Sequence, residues 1–153
     1  FKNQKNIKKI ENSLLLVFTG IRRKAEKVEK DKLKNLNKTT KYYSQLNDLT
    51  LRAKKVIESD NLRLNKFGEL MKENWRIKKK LSTMVTNSNI YEIYNIGIEN
   101  GAYGGKLLGA GNGGFVLFIC NLSSKNKIKK KLKNYLNVPI KFETQGSRIV
   151  KYI

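Results

Sequence analysis

The chain has 153 residues, enough for one domain with a hydrophobic core. It carries 33 basic and 12 acidic residues, a net charge of +21, and no histidine, which excludes histidine acid–base chemistry and histidine metal ligands. No stretch reaches the roughly 18 apolar residues that cross a bilayer, no signal-peptide pattern opens the chain, and the single cysteine, Cys120 in an apolar run, reads as a buried thiol in a reducing cytoplasm.

In chain order, residues 1–12 are polar and basic and read as an edge segment. Leu14–Phe18 is a buried strand ended by Thr19-Gly20. Ile21, Ala25, Val28 and Leu36 fall near one face of a first helix. Thr39-Thr40 can cap a second, with Tyr42, Leu46, Leu49, Ala53 and Val56 on its apolar side. Asp60 can cap a third, carrying Leu64, Phe67, Met71 and Trp75; Trp75 is read as core. Ser88 can cap a fourth, which stops at Asn100-Gly101. Ser124 can cap a fifth, with Ile128, Leu132 and Tyr135. Pro139 breaks the chain. Ile140–Glu143 and Arg148–Tyr152 alternate around Gln145-Gly146-Ser147 as a closing hairpin. The order gives one α+β domain over residues 1–153, an antiparallel sheet with helices on one face.

Most of the eleven glycines lie between Gly101 and Gly114. A phosphate loop of the Gly-x4-Gly-Lys-Ser/Thr kind fails here. Asn100 stands at the first glycine, and Leu107 replaces the hydroxyl that would hold magnesium. Gly109, Gly111 and Gly114 match G-x-G-x-x-G, but the dinucleotide motif needs a helix at its end, and Phe115–Cys120 is a strand-like run. The remaining reading is a glycine-rich hairpin, Leu107–Ala110 pairing with Phe115–Cys120.

The segment Gly104–Phe115, reading GGKLLGAGNGGF, resembles the third signature motif of the GHMP kinases. Leu15–Ala25 is similar to the strand-loop-helix "TGxxR" segment of a narrower group. Trp75–Ser82, Tyr91–Tyr94 and Gly146–Ile149 fit that group too. In this order and spacing they resemble the C-terminal half of D-glycero-D-manno-heptose 7-phosphate kinases or of close sugar kinases.

The resemblance implies a ferredoxin-like domain of a two-domain enzyme. The whole enzyme would transfer the γ-phosphoryl group of ATP, with Mg2+, to a sugar hydroxyl, here the anomeric one of a sugar phosphate. ATP and Mg2+ would be held mainly by an N-terminal domain, whose phosphate loop and acidic residue do not occur in this chain, so these residues alone would be inactive. A first residue other than Met likewise points to a fragment or a processed product. Gly109, Ala110, Gly111, Gly113 and Gly114 match the motif that supports the phosphate loop. Asn112 stands where glycine is usual and tolerates positive φ best among other residues. Thr19, Gly20 and Arg23 match the "TGxxR" loop, with Arg23 a candidate phosphate contact because its planar fork suits phosphate oxygens; Arg22 departs from the pattern. Lys106 could aid anion binding or be a solvated lysine. The partners implied are a sugar or sugar-phosphate substrate and the N-terminal domain; a separated domain with a bare interface can also pair with itself as a homodimer. The cytoplasm is the implied location.

Net charge alone raises a second reading, a basic module for RNA or another polyanion. Against it, only six of the 33 basic residues are arginine, lysine is spread over every polar face, and no aromatic-interleaved strand appears.

Overall fold

The structure, a computed structural model, describes residues 3–22, 25–143, 145–147 and 149. The apolar run Leu14–Phe18 forms β1. Gly104–Leu107 forms β2, Phe115–Ile119 β3 and Asn137–Val138 β4. They make one antiparallel sheet of order β2-β3-β1-β4. With helices between β1 and β2 and one helix between β3 and β4, this is the ferredoxin-like split βαβ arrangement.

Period-two alternation divides the sheet residues between two cores. Leu15 pairs with Phe118 and Val17 with Val116, and all four are buried on one face. That face is covered by Ile90 and Ile93 of α5 (Ser88–Glu99), Ile128 of α6 (Leu122–Lys131) and Leu132 just beyond it. Each fully buried side chain of this size contributes about 1.5–3 kcal/mol. Trp75 joins this core at 2% exposure, and Val28 reaches it from α2 (Ala25–Lys34). On the other face Leu14 and Ile119 meet Ile10 of α1 (Gln4–Ser13) and Met71 of α4 (Leu64–Lys78), so helices cover both faces of the sheet and not one as expected.

Helix α4 runs along β2, the edge strand. A Cβ on Gly104 would lie 1.9 Å from the carbonyl oxygen of Gly68. Two facing glycines thus let helix and strand backbones touch, and the helix covers an edge that would otherwise invite pairing. The 23-residue α3 (Leu36–Glu58) packs behind α4 through Leu49, Leu70 and Ile77.

Several local expectations are corrected. The N-terminal segment is helix α1, not an edge. Asn3 caps it by accepting from Asn6 N at 3.1 Å, and buried Asn6 donates to the Ile57 and Ser59 carbonyls at 2.7 Å each. A polar residue buried by pairing breaks the apolar pattern from which a helix would be read. Thr39 and Thr40 lie inside α3, and their hydroxyls donate to the carbonyls four residues back, Asn35 and Leu36. Helix α4 starts at Leu64, well after Asp60, with no side-chain cap bond. The caps of α5 and α6 are Asn87 and Asn121, not Ser88 and Ser124. The glycine hairpin pairs Gly104–Leu107, not Leu107–Ala110, with β3. Ile140–Glu143 forms no strand: β4 ends before Pro139, and the Phe142 N–H instead donates to Glu11 at 2.7 Å. The second arm of that expected hairpin, apart from Ile149, lies outside the described residues.

Candidate functional site: two loops joined at the end of the sheet

The β2–β3 hairpin opens into a loop over residues 108–114. Gly109, Gly111, Asn112 and Gly114 have φ of 72°, 127°, 60° and 93°. Such a run of left-handed backbone excludes ordinary side chains at the glycines, and asparagine is the residue that bears it best elsewhere. The Leu108 N–H donates to Phe115 O at 2.8 Å and closes the base. At the tip, Asn112 N–H donates to Val85 O at 2.6 Å. A Cβ on Gly111 would fall 2.6 Å from Val85 Cα, so the loop rests on the 3-10 turn Thr83–Val85. Asn87 Nδ2 donates to Asn112 Oδ1 at 2.7 Å, and Lys78 Nζ donates to the Leu107 and Gly109 carbonyls.

The turn after β1 is bonded to the same loop. Both the N–H and the hydroxyl of Thr19 donate to Gly114 O at 2.9 Å. Gly114 N–H donates to Ile21 O at 3.1 Å. Asn89 Nδ2 donates to Thr19 O at 2.9 Å, and Tyr135 OH donates to Asn89 Oδ1 at 2.8 Å. The Phe18 and Phe115 rings sit 5.1 Å apart beneath the junction. Between the loops is a hollow of about 350 Å³ lined by Ile21, Arg22, Gly109, Gly113 and Gly114 among others. Among the described residues, the N–H groups of Gly109, Ala110, Gly111 and Gly113 have no hydrogen-bond acceptor. Clustered free amides of this kind can donate to an anion or to another loop.

The structure therefore brings together Thr19, Gly20 and residues 109–114. Arg23 lies outside the described residues. Lys106 stands apart, paired with Leu117 on the other face of the hairpin and lining a separate groove. Sequence reading missed Lys78, Asn87 and Asn89, which hold the two loops in place; their signal was only that two of them flank the start of a helix. Cys120 is buried, and burial pushes its thiol up to about 11 despite Lys125 and Lys129 nearby, so it is protonated and inert at neutral pH. Among the described residues no cluster of three His, Cys, Asp or Glu side chains could hold a metal. No described helix is long and apolar enough to cross a membrane.

A family model described as "GHMP kinases C terminal" matches residues 54–138. The chain belongs to the GHMP kinases. It is 32% identical over 133 residues to D-glycero-alpha-D-manno-heptose 7-phosphate kinase of Campylobacter jejuni, covering 81% of this chain and 37% of that protein. It is 30% identical over 138 residues to the bifunctional fucokinase/GDP-fucose pyrophosphorylase of Arabidopsis thaliana, covering 88% of this chain and 13% of that one. Among solved structures, mevalonate kinase of Methanococcus jannaschii superposes with a TM-score of 0.67 at 25% identity, covering 90% of this chain and 42% of that chain. The GHMP kinase domain thus spans well under half the length of these relatives. Its ferredoxin-like sheet is the fold that the glycine motif implied.

Proposed function

We propose that this domain forms one wall of the active site of an ATP-dependent sugar kinase whose acceptor is the anomeric hydroxyl of a heptose 7-phosphate or a related sugar phosphate. The observation that carries the reading is the bonding of the Thr19 turn to the glycine loop through Gly114, which brings the two segments that resemble the family's motifs together at one end of the sheet. Residues 109–114 support the phosphate loop of an N-terminal domain, to which their free amides can donate. Thr19 and Gly20 face the acceptor, and the phosphate contact is assigned to Arg23. ATP and Mg2+ are held mainly by that second domain, in the cytoplasm. Catalysis there would rest on positioning and charge stabilisation, with ATP and magnesium supplying the transferable phosphoryl group.

Phosphorus NMR of the intact gene product incubated with ATP and heptose 7-phosphate tests the acceptor position. A second phosphate on the anomeric carbon supports the reading. A phosphate on any other hydroxyl contradicts it.

A further inference from the structure

Opposite the loop junction, on the face of the hairpin turned away from the Phe118 core, lies an open groove of about 350 Å³. Its walls include Leu14, Leu70, Met71, Leu108, Leu117 and Phe142. Lys106 enters this lining because the period-two pleat that buries Leu107 in the core turns its neighbour the other way. Among the described residues the Lys106 ammonium has no hydrogen-bond or ion-pair partner. Glu73, an acid on the adjoining α4, is paired with Arg52 at 3.3 Å. Burial holds Lys106 below the ordinary lysine range. Asn74 lines the same groove, and its buried side-chain oxygen also lacks a partner among the described residues.

An unpaired charge in an apolar lining is unfavourable until a counter-charge meets it. Other buried or half-buried lysines have partners: Lys32 is paired with Glu29 at 2.9 Å, and Lys78 donates to the Leu107 and Gly109 carbonyls. An apolar cleft near the lower end of the roughly 300–1,000 Å³ range, with one or two placed polar groups, has the makeup of a small-molecule site. From this we infer that the groove binds an amphipathic anion, its carboxylate or phosphate head on Lys106 and its apolar body along Leu117, Leu70 and Met71. The groove shares Leu108 with the sugar-kinase hollow but is otherwise lined by other residues, and the inference does not depend on that reading.

Decanoate, decyl phosphate and decylammonium, each below its micelle concentration, test this on the intact gene product by calorimetry and by NMR shifts at Leu70 and Leu117, which line this groove and not the other hollow. The two anions are expected to bind saturably, one per chain, and their relative affinity identifies the preferred head. Decylammonium is expected not to bind. Lys106→Met, which keeps the apolar stem, should weaken the anions by roughly tenfold or more, the worth of a charge-assisted hydrogen bond. Lys130→Met, at an exposed site on α6, should leave them unchanged and so controls for the overall charge. Equal binding of anion and cation, equal weakening by both variants, or no binding because protein already covers the groove would each overturn the inference.

Discussion

Asn87 and Asn112 form a pair in which one asparagine serves two structures. Asn87 Nδ2 donates to Asn112 Oδ1 at 2.7 Å, while Asn87 Oδ1 accepts from Ile90 N at 3.0 Å and caps α5. The cap of a core helix thereby fixes the tip of the glycine loop. Asn112 has a left-handed φ of 60° and makes a side-chain bond that glycine could not make.

Asn87→Ala is expected to destabilise the domain by about 1–2 kcal/mol, because it removes the cap and leaves Asn112 without its partner. Asn112→Gly should cost less than about 1 kcal/mol, since the lost bond is offset by an easier backbone. Asn112→Val, β-branched at positive φ, should cost more than either glycine or asparagine there. Urea unfolding of the three variants checks the order.

Thr19→Val removes the hydroxyl that donates to Gly114 O and accepts from Ile21 N. A loss of about 1–2 kcal/mol is expected. Hydrogen exchange should quicken at Gly114 and Ile21 while Val17 and Phe118 in the central strands stay protected. Uniform quickening across the sheet would show that the hydroxyl is not specific to the junction.

Gly104→Ala should be among the most damaging single-methyl changes in the chain. The new carbon would sit 1.9 Å from the Gly68 carbonyl oxygen, and backbone lies on both sides of the contact. The cost is expected at or above the top of the roughly 1–3 kcal/mol typical of overpacking. Gly20→Ala has open space and pays only for its φ of 76°, so it should be the milder of the two in thermal melts.

How much of this was legible in the sequence varied with the physics of each part. Leu14–Phe18 and Phe115–Ile119 were readable because a solid apolar run between polar neighbours has few alternatives to a buried strand. The glycine loop was readable as a motif, but its strand boundary was not: Gly104 and Gly105 have no β-propensity and are strand only because Gly68 approaches one and Phe118 packs over the other. The cap positions of α5 and α6 were missed by one and three residues because asparagine and serine compete for the same role, and only the geometry chooses. Joining Thr19 to Gly114 spans 95 residues, a separation that no local pattern reports.

Cys120 gives a pH signature. Its thiol is raised from 9.0 to about 11 by burial. A group raised on folding stabilises fully below its unfolded value and loses that contribution as pH climbs through the folded one. Between pH about 9 and 11 the wild type should therefore lose about 2 kcal/mol more than Cys120→Ala does. Denaturant titrations of both proteins across that range measure the difference.

The most direct test of the central claim is ADP release by the intact gene product with ATP and, in turn, heptose 7-phosphate, fucose, galactose and mevalonate. The account predicts turnover with a sugar acceptor, fastest with the heptose phosphate, and none from residues 1–153 alone. Turnover with mevalonate only, or with no sugar at all, would contradict it.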